Sequence, residues 1–446
     1  MLVFPIEIIK KRQKTLFEKL PPNSVAIIPS ESIKIRNNDV EYRFRPSSRL
    51  LYITGIKDPN TIAVISKKKL SDGEETKIII FRKKNKFEEA IWIGFSTPDE
   101  ELKQVCDEIE NIENFDTKIS KIIQNTEYLF YPIGEDGNIQ NKILKSYYEL
   151  KRKARAGTLP PKLISDIDTI LGELRAKKDQ YEIENIRKAV KITKKVLNEI
   201  ALKPGMMEYE VESQIIRTYR MYGGEEAFPT IVASGKNSTI LHYTQNSSVL
   251  KIPCVIDTGV EINFYASDIT RTFIPEDFPD EPKEKVKIAQ DIKSQVEIIQ
   301  KKVIEKARKG VSFEELNLIA QREISYCLID IGILKGSIDE ILEKKLFKPF
   351  FPHRIGHHLG LDVHDVCPYY EDQNRAKKLE AGNIITIEPG IYFPYLETVY
   401  VKDGQIYEKP DAEGQYYKTE IPEIFRGIGV RIEDDVIITE DGNEVL

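Results

Sequence analysis

The chain has 446 residues, 41% hydrophobic and 31% charged, with a formal charge of -6 from 66 basic and 72 acidic side chains. That length exceeds what one hydrophobic core organises, so two domains are expected, and the composition is that of a globular chain rather than a disordered or membrane-embedded one. A balance so close to neutral gives no electrostatic reason to expect nucleic acid as a partner.

The first stretch, MLVFPIEIIKKRQKTLF, is apolar for only a few residues before Glu7 interrupts it, and it lacks the basic-then-apolar order of a secretory signal. Runs at 25–28, 61–65 and 78–81 read as strands, while 101–109 and 139–156 read as helices. GEDGN at 134–138 is a turn, and AGTLPP at 156–161 marks a loop near the end of the first domain. No run approaches the roughly 20 apolar residues of a membrane span, so no membrane partner is expected. Cys106, Cys254, Cys327 and Cys367 are scattered without a close pair, which points to a reducing cytoplasm. Residues 1–172 therefore read as an α/β domain. Nothing in it gathers histidines with carboxylates, and its expected role is support and oligomerisation.

From about Lys177 the pattern changes. Ile183, Ile186, Val190, Leu197 and Ile200 fall close to one stripe of a helix over 179–200, stopped by Pro204 and Gly205. Further helices are expected over 208–221 and 284–308, and Ser312 with Glu315 forms a capping box for the next. Strand segments lie between and after them, so 173–446 reads as an α+β domain.

The chain has five histidines, His242, His353, His357, His358 and His364, and the last four fall within one short stretch. In VIDTGVEINFYASDITRTF, Asp257 ends one apolar run and Asp268 follows another. A tight strand pair would bring both carboxylates to one buried face, where a divalent cation offsets their repulsion and lost solvation. The alternative is that one aspartate caps a turn while the other pairs with Arg271. NIITIEPGIYF places Glu388 at a strand end, and RGIGVRIEDDVIIT places Glu433 within a strand, on the same side as Arg431. A salt bridge would explain either glutamate singly; two more strand carboxylates beside the aspartates favour a site. Asp257, Asp268, His357, Glu388 and Glu433 form a hard, oxygen-rich donor set suited to a pair of divalent ions, with Asp268 and Glu433 placed to bridge. Such a site belongs to a hydrolase.

Together with YRFRPSSRLLYITG, LHYTQN and HRIGHHLGLDVHD, these motifs resemble the metallopeptidase family with the pita-bread fold, which contains aminopeptidase P, prolidase and methionine aminopeptidase. The aminopeptidase P branch is the most similar, and the likeness spans nearly the whole chain. It implies an α/β N-terminal domain, then a pita-bread catalytic domain that hydrolyses the bond between an N-terminal residue and a following proline. It also implies two divalent ions, Mn(2+) first, with Co(2+), Fe(2+) or Zn(2+) as alternatives. By the resemblance, Asp257 is terminal at one metal, Asp268 and Glu433 bridge, His357 is the sole histidine ligand, and Glu388 both ligates and moves the proton of the attacking water. His242 binds substrate, His353 lines the pocket for proline, His364 polarises the scissile carbonyl, and Arg431 supports the metal carboxylates. His358 matches a variable position and reads as a packed or surface histidine. The partner is a peptide with proline second, and the chain is expected to be a homodimer, with a homotetramer equally allowed.

Prolidase, restricted to Xaa-Pro dipeptides, is the nearest alternative. A non-catalytic binding protein on the same fold is the other, and it would be expected to have eroded ligand positions. Residues 394–419 are longer than the corresponding stretch in many relatives and read as a protruding hairpin or loop.

Overall fold

The computed structural model describes residues 1–71, 73–135, 137–276, 278, 282–410 and 414–446. Part of the turn expected at 134–138 (Asp136) and part of the 394–419 insertion (411–413) lie outside the described residues. The chain forms two compact units, 1–174 and 175–446.

The first unit is built on a six-stranded mixed sheet. Its strands, edge to edge, are Glu108–Asn111, Gly73–Arg82, Thr61–Leu70, Ser24–Pro29, Tyr128–Tyr131 and Leu163–Asp166. Ser24–Pro29 is buried along its whole length, which is why it reads as a continuous apolar run without alternation. Helices Phe115–Ile123 and Gly137–Lys153 cover one face, and the core between includes Val25, Val64, Leu129 and Ile143, with Phe81 edge-on to Phe115 at 5.3 Å. The helix expected over 101–109 is a correction. Only Asp99–Leu102 is helical, and Glu108–Asn111 runs parallel to the Ile79–Arg82 stretch as an edge strand. The local preference of these acidic residues is weak, and pairing with a sheet edge overrides it.

In the second unit, helix Gln180–Glu199 starts from an Asp179–Glu182 capping box and Phe313–Asp330 from the Ser312–Glu315 box. Helices Glu208–Met221 and Lys283–Lys306 match the expected segments to within a residue or two. Ile186, Val190 and Leu197 are buried as the stripe requires, and Ala189, Thr193 and Val196 complete the face. Three small antiparallel sheets carry or flank the acidic motifs. One is Ile231–Ser234, Cys254–Thr258 and Ile269–Phe273; the second is Ile384–Ile387, Asp434–Ile438 and Asn443–Val445; the third pairs Gly390–Phe393 with Ile428–Arg431. A core containing Val296, Val303, Phe350, Ile387, Phe393 and Val430 packs the long helices behind them.

The insertion is more than a protruding loop. Thr398–Lys402 pairs with Gln405–Tyr407 and Tyr417–Glu420, and every second residue turns inward. Val399 and Val401, with Ile421, join the core of this unit, so the hairpin is anchored rather than free. Among the described residues, no helix is long and apolar enough to cross a membrane.

Candidate metal centre

Strand register brings the two aspartates together. Cys254–Thr258 runs antiparallel to Ile269–Phe273 with Asp257 opposite Thr270, so Asp268, two residues before Thr270, lies diagonally across on the same face. Gly259 permits the return. A Cβ there would sit 1.8 Å from the carbonyl oxygen of Ser267, so only glycine lets the two chains close up beside Asp268. Arg271 does not pair with either aspartate. Its guanidinium donates to Asp434 Oδ1 at 2.6 Å and to the Glu433 carbonyl at 2.5 Å.

Glu433 lies between two strands rather than within one, which corrects the expectation. Ile428–Arg431 ends on the sheet with Gly390–Phe393, and Asp434–Ile438 begins on the sheet with Ile384–Ile387. The chain changes sheets at Ile432–Glu433, and there the Glu433 side chain is free of both ladders and meets Thr270, whose hydroxyl donates to Glu433 Oε2 at 2.7 Å. Glu388 likewise follows its strand immediately, and its N–H donates to the Ile355 carbonyl at 2.9 Å.

His357 is set by its backbone. Its N–H donates to Thr386 Oγ1 at 3.0 Å, and its carbonyl accepts the Thr386 N–H at 2.8 Å. Gly356 makes this approach possible, because a Cβ there would lie 2.0 Å from the Thr386 carbonyl oxygen. His357 Nδ1 donates to the His358 carbonyl at 3.0 Å. Nε2 is therefore the nitrogen that keeps its lone pair, and it faces Asp268 Oδ2 at 3.4 Å and Glu388 Oε1 at 3.7 Å.

Asp268, His357 and Glu433 can each turn one donor atom to a common point, with those atoms within 4.8 Å of one another. Asp257 and Glu388 stand outside this three-residue group but next to it. Burial, with the charges of neighbouring carboxylates, pushes the Asp268 and Glu433 carboxyls well above the usual range, and burial pushes Glu388 up to about 8. Burial also lowers His357 to about 4, which keeps its imidazole neutral. Asp257 Oδ1 and Asp268 Oδ1 are buried without a hydrogen-bond partner. Orphaned carboxylate oxygens, a neutral imidazole nitrogen and mutually repelling acids fit a bound divalent cation and are costly without one. Asp268, His357 and Glu433 form a cluster fit to bind a metal ion.

The other predicted residues surround it. Arg431 is buried and donates to Asp257 Oδ2 at 2.6 Å, to Thr270 Oγ1 at 3.2 Å and to the Tyr392 hydroxyl at 3.1 Å. Tyr392 in turn meets His353 Nε2 at 2.9 Å, and His353 Nδ1 donates to the Arg354 carbonyl at 2.7 Å. Burial lowers His353 to about 3, so it stays neutral. The His364 ring packs 4.3 Å from that of His357 and is otherwise exposed, as is His242. His358 turns away into an aromatic cluster, edge-on to Phe313 at 5.1 Å, in keeping with a packed histidine.

Sequence reasoning missed Thr270, Thr386, Tyr392, Asp434 and Asp435. The threonines carried a signal, since each lies two residues from a ligand candidate in the same extended segment. Asp435 did not. It is fully buried, and its Oδ2 accepts the Asp268 N–H at 3.0 Å across a sequence separation no local pattern spans.

Comparison with known proteins bears on this arrangement. The pattern of Metallopeptidase family M24 matches residues 184–440, and that of the aminopeptidase P N-terminal domain matches 9–131. The chain is 33% identical over 455 residues to an Xaa-Pro aminopeptidase of Haemophilus influenzae, covering 100% of this chain and 95% of the relative. It is 31% identical over 446 residues to that of Escherichia coli, covering 98% and 93%. Among solved structures, aminopeptidase P from E. coli in a low-pH form superposes with a TM-score of 0.84 at 30% identity, covering 99% of this chain and 94% of that one. The aminopeptidase PepP of Pseudomonas aeruginosa gives 0.83 at 30% identity, covering 100% and 95%.

Proposed function

The chain belongs to metallopeptidase family M24, as a metal-dependent Xaa-Pro aminopeptidase with a pita-bread catalytic domain, and on that premise we propose that its centre holds two divalent ions, manganese first among them. Asp257, Asp268, His357, Glu388 and Glu433 would hold them, with Asp268 and Glu433 shared. The observation that carries this reading is the convergence of the His357 Nε2 lone pair, the Asp268 and Glu433 carboxylates, and the unpartnered oxygens of Asp257 and Asp268. The oxygen-rich donor set favours manganese, cobalt, iron(II) or zinc over softer metals.

Bound there, the metals supply an activated water at neutral pH and polarise the scissile carbonyl. The protein's own groups do the rest. Glu388 takes the proton of the attacking water and passes it to the leaving prolyl nitrogen, which as a tertiary amide carries no hydrogen of its own. His364, exposed beside His357, donates to the carbonyl oxygen as negative charge builds on it. His353 has both ring nitrogens engaged, so it offers an apolar ring face as a wall for proline. Arg431 holds Asp257 and, through Thr270, Glu433, so that both carboxylates keep their direction. His242 contacts the bound peptide.

We infer a homodimer formed through the N-terminal unit, with a homotetramer compatible. Phe87, Ile91, Trp92, Ile93 and Phe95 support this: they lie exposed along and just beyond the short helix Phe87–Ile93, and Trp92 is 86% accessible.

The test is metal-stripped protein reloaded with manganese, following ions bound per chain and release of X from X-Pro-Y and X-Pro peptides. Activity that saturates as the second ion binds, with the tripeptide cleaved, is the expected result. Full activity at one ion per chain would sink the two-ion reading, and cleavage confined to the dipeptide would move the chemistry to that of a prolidase.

A further inference from the structure

Of the LHYTQN segment, the mechanism uses His242 alone, yet Tyr243 and Asn246 are the more firmly held. His242 faces solvent on a stretch, 240–248, with no helix or strand of its own, so nothing local fixes where its imidazole points. Tyr243 and Asn246 turn inward and are buried. The Tyr243 hydroxyl donates to Glu208 Oε2 at 2.8 Å, and the same oxygen accepts the Ser248 N–H at 2.9 Å. Glu208 Oε1 accepts the Ser234 N–H at 3.0 Å, the Ser234 hydroxyl at 2.8 Å and Asn237 Nδ2 at 3.2 Å.

A fully buried carboxylate with both oxygens so engaged needs no cation partner. Glu208 is also the first residue of helix Glu208–Met221, whose N-terminus favours negative charge. At the far end of the same stretch, Asn246 Oδ1 accepts the Val232 N–H at 2.9 Å, and its Nδ2 donates to the Thr230 carbonyl at 2.8 Å. The backbone closes the base, with the Glu208 N–H donating to the Ser248 carbonyl at 3.0 Å and the Leu250 N–H to the Met206 carbonyl at 2.7 Å.

The ties from Glu208 to Ser234 and from Asn246 to Val232 lead to a fixed reference. Ser234 ends the strand Ile231–Ser234, which pairs residue for residue with the strand that carries Asp257, Ile231 lying opposite it. The Glu208 carboxylate therefore joins the stretch bearing His242 to the sheet bearing a metal ligand. We propose that Glu208 is a positioning residue for the aminopeptidase reaction, aiming His242 over the site through the Tyr243 hydroxyl. This rests on the reading of His242 as a substrate contact, and it adds how an exposed side chain on an irregular stretch is kept in place. Mere stabilisation of the fold is the competing account, and it makes a different kinetic prediction.

The experiment compares full-length protein with Tyr243→Phe, Glu208→Gln, His242→Ala and the double variant His242→Ala/Tyr243→Phe. Each is loaded with manganese, and kcat, KM and bound metal are measured on an Xaa-Pro-Yaa tripeptide. Tyr243→Phe keeps the ring and removes the hydroxyl's bond to Glu208 Oε2 at 2.8 Å, with its longer contacts to the Ser247 N–H at 3.3 Å and the Ser248 hydroxyl at 3.4 Å, so it is expected to fold and to lower kcat/KM by about tenfold with metal content unchanged. Glu208→Gln places an amide against a donor and is expected to act in the same direction. Should that variant fail to fold, Tyr243→Phe decides alone. The decisive result is non-additivity: the double variant should be no worse than His242→Ala, because a side chain that is gone cannot be mis-aimed. Wild-type kinetics for Tyr243→Phe, or losses that simply multiply in the double variant, overturn the positioning role while leaving His242 as a contact. Wild-type kinetics for His242→Ala overturn the contact itself, and the positioning role with it.

Discussion

At the scale of single residues, the metal centre is a collection of groups that are poorly satisfied alone. Asp268→Ala removes the carboxylate nearest the His357 Nε2 lone pair, and loss of bound metal together with loss of peptide cleavage is expected, read by metal analysis of the purified variant. Retention of two ions per chain would remove Asp268 from the ligand set. The carboxyls also set a pH dependence in the metal-free protein. Glu388 has its pKa raised from 4.5 to about 8 by burial. A group raised on folding contributes stability that is fully present below its unfolded pKa and lost as pH rises through its folded one. Metal-stripped protein should therefore melt at progressively lower temperature between about pH 4.5 and 8, with Asp268 and Glu433 acting in the same sense. Added manganese should restore more stability at pH 8 than at pH 5, since binding displaces protons. A melting temperature flat across that range in the stripped protein would contradict this. Arg431 is the counterpart. Its removal leaves the partly buried Asp257 without its guanidinium partner, so Arg431→Ala should lower the melting temperature as well as activity.

At the scale of elements, the site is made where strands end. Asp257 and Asp268 meet through one antiparallel register, and a slip of one residue would turn either to the opposite face. Glu388 and Glu433 leave their ladders at sheet ends, where side chains are not committed to a neighbouring strand. Threonines brace the proposed ligands between elements, and Thr270→Val should cost roughly 10-fold or more in metal affinity while keeping shape and volume, measured by competition with a chelator. Gly356 tests the strand contact directly. Gly356→Ala forces a Cβ against the Thr386 carbonyl; such overpacking costs about 1–3 kcal/mol, and His357 would shift with it. Unchanged stability and unchanged metal binding would show that the backbone there can relax. Both glutamates were legible as motifs, but Glu433 was read inside a strand because IGVRIEDDVII is apolar on both sides of it. The change of sheet at Ile432–Glu433 leaves no local mark. Glu108–Asn111 shows the opposite error, a weak local preference taken for helix where a sheet edge was waiting.

At the scale of the whole molecule, two units divide the labour: the second carries every proposed ligand, and the first presents apolar side chains to solvent around Trp92. If that patch is the subunit contact, Trp92→Glu should reduce the mass in solution to that of one chain, measured by light scattering, without altering the far-ultraviolet circular dichroism. An unchanged mass would place the contact elsewhere. The sequence by itself determined which residues are chemically costly, because crowded histidines and acidic side chains beside apolar runs are visible without a fold, and their spacing within each motif is covalent. It also determined the long helices, whose apolar stripes and capping boxes are local. Only the tertiary structure decided how the motifs face one another: that Arg431 holds Asp257, that Asp435 grips the backbone of Asp268, that Glu208 anchors the stretch bearing His242, and that Val399 and Val401 of the insertion pack into the core. Those contacts join segments separated by tens to hundreds of residues. Their direction is fixed by packing and by the need to satisfy buried polar atoms, which no periodicity within one segment records.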